Sequence, residues 1–458
     1  MAKPHSQYIC QQCGYSQVGW AGKCPNCGSW GSLVETVISP SLSLRKNKNG
    51  KSISQSTSKP ISLSSISSKK TARITTSISE LDRVLGGGLV AGQVVLIAGE
   101  PGIGKSTLLL QLSDMLAASY KPSTRAQAEG LPATVLYVCG EESASQIAVR
   151  AQRLGIRNKS IQLLEETDVD SVTETIDTFK GQSLQGIVVD SIQTMTTSDL
   201  SGMAGSVGQV RECTFRLTNL AKKINVPLFI VGHVTKEGTV AGPAVLAHIV
   251  DTVLWFEGDK SLTLRILRAV KNRFGPTDEV GIFEMEDKGL ICLSDPEKVF
   301  ITHLRKEVAG KVVSCIQEGT RPILVEIQSL IVPTKLAFPR RIAQGIDSKR
   351  FELLLAVLTR RCGLPLYEYD VFVNVTGGIS VREPSCDLAV CLSVASSFLD
   401  KPLRSDSVVV GEVGLLGEIR EVVGEEKRIK ESKRLGFKNP ITHKEVKYVS
   451  EAIKRYIK

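Results

Sequence analysis

A chain of 458 residues has room for about three domains, each with its own core. Its 42 % hydrophobic and 23 % charged content is that of a globular protein, and no long uncharged apolar run offers a membrane span or secretory leader. The cytosol is therefore the expected compartment. There, eleven cysteines argue against a disulfide framework, and a net charge of +10 favours a polyanionic partner such as nucleic acid.

The chain opens with Cys10-Gln-Gln-Cys13 and Cys24-Pro-Asn-Cys27, two C-x-x-C knuckles. Four thiolates close a tetrahedral Zn²⁺ site with no open position, so the metal is expected to be structural. A segment this short has too little core to fold without it. Tyr8, Trp20 and Trp30 are expected to pack around the site, with base stacking as the alternative, and His5 to belong to a tail. The other seven cysteines read as small core residues. Residues 39–70 are rich in Ser and Lys and have little apolar periodicity, which predicts a flexible linker. No acidic residue occurs from Thr36 to Ser79. The expected divisions are a zinc finger at 1–34, a linker at 35–72, a first α/β domain at 73–294 and a second α/β domain at 295–458.

From Arg73 onward, apolar runs at Val94–Ala98, Val135–Cys139, Ile187–Val189, Leu228–Val231 and Val253–Phe256 read as strands. Helical stretches at Thr107–Ala118, Ser143–Leu154 and Val207–Lys223 lie between them. This alternation predicts an α/β fold with a largely parallel sheet covered on both faces. Ser261–Val270 and Glu279–Glu284 then read as an antiparallel hairpin at the sheet edge. The second α/β pattern has strands near Ile323–Ile327 and Val371–Val375. Its helices are expected at Ser348–Arg360, Cys386–Phe398 and Glu425–Gly436.

Between the first strand and the helix after it stands Gly99-Glu100-Pro101-Gly102-Ile103-Gly104-Lys105-Ser106, the G-x-x-x-x-G-K-[ST] phosphate loop in the strand–helix setting its mechanism needs. Backbone N–H groups and the helix N-terminus would cradle the phosphates of ATP. Lys105 would neutralise the β- and γ-phosphates, Ser106 would ligate Mg²⁺, and Thr107 falls near the α-phosphate. Asp190, ending the run Gly186–Asp190, is the second candidate for Mg²⁺. Glu141 and Glu142 follow a strand on the edge where open sheets bind ligands. One of them would orient the attacking water, and the other would serve the helix opened by Ser143 and Gln146, which have capping-box spacing.

The run Ile74 to Asp82, then Leu85-Gly-Gly-Gly88 leading into the phosphate loop, resembles the RecA/KaiC-like ATPases. The order of the whole chain, with Lys271-Asn-Arg-Phe-Gly275 and the tail, is similar to the bacterial RadA (Sms) family of repair ATPases. That resemblance implies a hexameric, DNA-dependent ATPase driving branch migration alongside a RecA-type recombinase. It makes Glu141 the catalytic acid and sets Lys271 and Arg273 where a neighbouring subunit would reach the γ-phosphate. His233 falls on the family's γ-phosphate sensor. Two small-residue segments are expected as flexible loops contacting single-stranded or branched DNA: Thr235–Pro243 with Lys236, and Ser198–Gly208 followed by Arg211. Lys271 and Arg273 are further candidates for DNA contact.

The tail resembles the Lon protease domain through Glu383-Pro-Ser-Cys-Asp387 and Gly411-Glu-Val-Gly-Leu-Leu-Gly417. Ser385 falls on the Lon nucleophile, but the ungapped lysine position is Glu426, and a carboxylate is a poor substitute for a neutral amine base. The tail is therefore expected to be a non-proteolytic scaffold, with Arg340, Arg341, Lys349 and Arg350 as a basic face. An ATP-driven peptidase and a non-motor ATP-binding scaffold are the alternative readings of the chain.

Overall fold

The computed structural model describes residues 5–10, 15–38, 73–118, 133–179, 183–233, 243–258, 263–293, 307–336, 338–376, 381 and 383–457. The linker at 39–70, Cys13 and Lys236 lie outside them. The chain divides into two compact units. One holds Met1–Glu257, Leu267–Thr277 and Met285–Ile291; the other holds Gly258–Ile266, Asp278–Glu284 and Cys292–Lys458.

The cysteine head is a three-stranded sheet of β1 (His5–Cys10), β2 (Ser16–Gln17) and β3 (Leu33–Ile38), with β1 in the centre. His5, expected in a tail, pairs with Ile38, and the antiparallel register continues to Cys10 and Leu33.

After α1 (Ser79–Leu85) come β4 (Val94–Gly99), α2 (Lys105–Ala118), β5 (Ala133–Cys139), α3 (Ala144–Arg153) and β6 (Ile161–Glu165). Then follow α4 (Val169–Thr178), β7 (Ser183–Asp190), α5 (Val207–Ile224), β8 (Leu228–His233), α6 (Pro243–Leu246) and β9 (Thr252–Glu257). The sheet is completed by β10 (Leu264–Asn272), β11 (Val280–Glu286) and β12 (Gly289–Cys292), in the order β12-β11-β10-β9-β4-β8-β7-β5-β6. Strands β4 to β9 pair in parallel, as the alternating pattern required. Alternate side chains of β4 point to opposite faces, and all six of its residues are buried. Val94 and Leu96 pack with Val172, Cys213 and Leu217 from α4 and α5, while α2 packs on the sheet at β5 and β7. Burying a side chain such as Leu96 contributes about 1.5–3 kcal/mol. Strand β7 outruns its apolar run because ladder hydrogen bonds extend over polar flanks.

In the second unit β13 (Lys311–Glu318) and β14 (Arg321–Pro333) form a long antiparallel hairpin in which Glu318 faces Arg321. Its turn needs Gly319, whose φ is +63° and where a Cβ would stand 1.9 Å from the Asp278 carbonyl. The chain continues through β15 (Arg341–Gln344), α7 (Ser348–Cys362), β16 (Tyr369–Val375), α8 (Asp387–Leu399), β17 (Ser407–Val409), β18 (Glu412–Val413) and β19 (Ile419–Arg420). It ends with α9 (Glu425–Arg434), β20 (Asn439–Ile441) and α10 (Val449–Tyr456), and the main sheet runs β15-β16-β14-β13-β17-β20. Helices α7, α8 and α10 bury Leu354, Leu388, Val394 and Ala452 against Val325 and Val373.

Candidate active site and metal centre

The parallel strands set the site. Gly99 lies beside His233 and Cys139 beside Asp190 in strand register, so the candidate groups gather at the carboxyl ends of neighbouring strands. Gly99 is confined to glycine because a Cβ there would sit 2.3 Å from the Phe256 carbonyl oxygen. Glu100, Pro101 and Gly102 form the exposed rim of the loop; Ile103 is buried and Gly104 half-buried. Lys105 is only 3 % exposed, and its Nζ donates to the carbonyls of Gly99 and Glu100, both at 2.9 Å. It thus spans the cradle that phosphate oxygens would fill. Thr107 is buried in the first turn of α2.

Asp190 is buried at the end of β7 and accepts from Tyr137 Oη at 2.7 Å and from the Ser106 hydroxyl. Burial raises its pKa despite these donors. Ser106 and Asp190 therefore share one small polar space, a donor set that fits Mg²⁺.

Glu141 and Glu142 separate by their partners. Glu141 Oε1 accepts from Ser191 Oγ at 2.5 Å and lies 3.2 Å from His233 Nε2. His233 and, against burial, Ser191 hold the Glu141 carboxyl below its ordinary pKa, so it is an anion at neutral pH. Glu142 instead pairs with Arg150 at 2.5 Å. The Ser143–Gln146 capping box forms, but the acid at that helix N-terminus is Glu165 from β6, which accepts from the Ala144 N–H. Neither Ser191 nor Tyr137 was singled out by the sequence. Ser191 carried one signal, its place immediately after Asp190.

Lys271 and Arg273 stand elsewhere. Lys271 Nζ donates to the carbonyl of Ala247 and, at 2.8 Å, to that of Val250. Arg273 pairs with Asp251 at 3.2 Å, and the Asp251 N–H donates to Val94 at the start of β4. The phosphate loop leaves the other end of β4, roughly 17 Å along the strand. Burial and the Arg273 charge lower the Lys271 pKa.

Of the candidate DNA contacts, Arg211 is exposed on α5. The segment Ser198–Gly208 is tied down rather than loose. Gln209, buried in α5, donates to the carbonyls of Thr197 at 3.1 Å and Leu200 at 2.7 Å, and Arg216 pairs with Asp199 at 2.7 Å. Residues 234–242 lie outside the described residues.

In the head, the Sγ atoms of Cys10, Cys24 and Cys27 lie within 4.8 Å of one another, with Cys10 and Cys27 3.6 Å apart. Thiolates bound to one Zn²⁺ at about 2.3 Å stand about 3.8 Å apart at the tetrahedral angle, so the set fits zinc. Cys10→Ser is expected to remove the bound zinc from the purified protein while ATP binding survives. Elemental analysis checks this, and unchanged zinc content would refute the site.

The tail serine is sealed in an ion pair rather than set beside a neutral amine. Ser385 is buried and donates to Glu383 at 2.8 Å. Arg428, 1 % exposed, reaches Ser385 Oγ at 3.1 Å, both Glu383 oxygens at 2.6 Å and the Cys315 carbonyl at 2.8 Å. Burial would raise the Glu383 pKa, but Arg428 holds it low. Glu426, the position counted from the motif, is exposed, as is Lys427. Two residues of helix turn the side chain by about 200°, which brings Arg428 rather than Glu426 to the serine. A guanidinium stays protonated and cannot act as the base. Arg428→Ala is expected to destabilise this unit by about 3–5 kcal/mol, read as an earlier urea midpoint, because it strands a carboxylate and a carbonyl. Ser385→Ala should move the midpoint little. The expected basic face is also thinner than its sequence. Arg350 pairs with Asp387 and Arg341 donates to the carbonyls of Tyr369 and Leu366, which leaves Arg340 and Lys349 exposed.

A triphosphate laid on Lys105 would meet the N-terminus of α2, with its metal between Ser106 and Asp190, which is the chemistry of a P-loop ATPase using ATP and Mg²⁺. The family model described as "AAA domain" matches residues 60–239, and "Rubredoxin metal binding domain" matches residues 8–35, in keeping with Zn²⁺ at the head. The chain is 49 % identical to DNA repair protein RadA of Bacillus subtilis, over 96 % of this chain and 93 % of that protein. It is 47 % identical to the Listeria monocytogenes protein of that name, over 95 % and 92 %, and 45 % identical to the Aquifex aeolicus one, over 100 % and 97 %. The chain belongs to the RadA family. Among the described residues, no helix is long and apolar enough to cross a membrane.

Proposed function

We propose that the chain is a DNA-stimulated ATP hydrolase that acts in the cytoplasm on single-stranded or branched DNA during recombinational repair. It works as a hexameric ring promoting branch migration with a RecA-type recombinase. The observation that carries this reading is the distance between the Lys271–Arg273 turn and the phosphate loop of the same chain. Cations at the far end of β4 are out of reach of their own γ-phosphate, which supports a role for them at a neighbouring subunit's site. The names of the relatives support the DNA-repair setting.

In this reading Lys105 binds the β- and γ-phosphates while the backbone from Gly99 to Thr107 cradles them. Ser106 and Asp190 hold Mg²⁺. Glu141 accepts the proton of the attacking water, and its contact with His233 ties that step to the 234–242 segment, where Lys236 joins Arg211 as a DNA contact. Lys271 and Arg273 enter from the neighbour and stabilise charge on the transferring phosphoryl group. The zinc finger spans 1–34, the linker 35–72, the ATPase core 73–294 and the Lon-like scaffold 295–458. Arg428 at Ser385 favours that scaffold over a peptidase.

Steady-state ATP hydrolysis with and without single-stranded DNA at low salt tests the reading. Stimulation is expected, and its absence would sink the motor. Lys271→Ala should lower turnover by roughly 10³-fold while ATP still binds. Mixing it with Lys105→Ala should restore part of the activity, because each supplies what the other lacks across an interface. Mixtures as inactive as either variant would place Lys271 outside the neighbour's site.

A further inference from the structure

The two indoles of the cysteine head do not pack around the metal. Its small core is built from Cys10, Cys24 and Leu33 with Tyr8 and Ala21, whereas Trp20 is 65 % and Trp30 77 % exposed. The two rings border one glycine. A Cβ placed on Gly22 would meet Trp30 ring atoms at 3.5 and 3.8 Å and a Trp20 ring atom at 3.7 Å, all ordinary contact distances. Gly22 therefore leaves open a space between two aromatic surfaces that any side chain would begin to fill. Lys23 pairs with Trp30 across a β-bridge, and its Nζ lies over the Trp30 ring, 5.9 Å from the centroid, so a cation stands beside the aromatic pair. Residues 36–79 follow with eight Lys and Arg and no acid.

We propose that Trp20, Gly22, Lys23 and Trp30 form a platform on which bases of single-stranded DNA stack, a proposal that rests on the DNA-acting function above. Every base has a π-face, so such a platform binds without reading sequence, and Lys23 meets the phosphates. Duplex DNA is the wrong ligand because its bases already stack on one another. The metal gives the platform rigidity. With the knuckles closed around zinc, the indoles are presented on a fixed hairpin and lose little freedom on binding.

The test measures binding of fluorescent oligo(dT) by the full-length protein, without nucleotide and at low salt. Replacing both residues, Trp20→Ala with Trp30→Ala, should weaken binding by about tenfold or more, while the Phe pair stays within about threefold of the parent. Zinc content should be retained in both, since neither indole belongs to the metal's core. Gly22→Val, which fills the space and keeps both rings, should weaken binding in the same direction. It decides the matter if the alanine pair loses zinc. Parental affinity in Gly22→Val and in a zinc-retaining alanine pair would overturn the platform. So would a blunt duplex bound as tightly as oligo(dT) and with the same dependence on the indoles. A parent protein that binds no oligo(dT) would sink the DNA-acting function as well, whereas a parent that binds and variants that bind equally would sink the platform alone.

Discussion

Lys105→Ala is expected to abolish ATP hydrolysis while the ATPase core stays folded. Lys105 is almost fully buried in the first turn of α2, and its Nζ is held by the carbonyls of Gly99 and Glu100. Those are weak partners for a full charge, and phosphate oxygens are stronger ones. Binding of the triphosphate therefore draws the ammonium from the loop backbone to the β- and γ-phosphates, where charge grows in the transition state. Loss of a single preorganised donor at such a place lowers turnover by roughly 10²–10³-fold, and here a formal charge is lost as well. Alanine suits a helix and removes a buried cation, so the thermal midpoint should hold or rise. Steady-state hydrolysis beside thermal unfolding separates the two effects. Turnover near the parent rate in a folded variant would mean that the loop does not hold the nucleotide as described.

Glu141→Gln is expected to keep ATP bound and to lower turnover by about 10²–10⁴-fold, the usual span for a lost general base. Glutamine has nearly the shape of glutamate but cannot take a proton from water. One oxygen of Glu141 is engaged by Ser191 and approached by His233, which fixes the carboxylate so that its other oxygen can face the water. The matched control is Glu142→Gln, which disturbs an ion pair with Arg150 and should change turnover little. Binding of a fluorescent ATP analogue, set against single-turnover hydrolysis, distinguishes the outcomes. The reverse pattern, with Glu142→Gln inactive and Glu141→Gln active, would exchange the two assignments.

The phosphate loop was legible because every part of it lies in one short stretch between a strand and a helix. Asp190 became a candidate only beside the phosphate loop, since an acid ending an apolar strand is also common as a helix cap. The two adjacent glutamates were not separable in the sequence, since their partners Ser191, His233 and Arg150 come from other elements. The acid serving α3 was misplaced for the same reason: Glu165 arrives from the neighbouring strand, and no local spacing announces it. In the tail the motif count led to Glu426, whereas the helix turned Arg428 inward.

The sequence by itself determined the phosphate cradle, the zinc knuckles and the alternation of strands and helices, because each is written in residues close along the chain. Backbone geometry and metal coordination act over a few residues, and short motifs capture them. Only the tertiary structure decided which glutamate meets Ser191 and His233, that Lys271 lies at the far end of its own sheet, and that Arg428 closes over Ser385. It also decided that Trp20 and Trp30 face solvent. Those outcomes depend on strand order, on helix rotation and on which surfaces the core leaves uncovered, all of which join residues far apart in the chain.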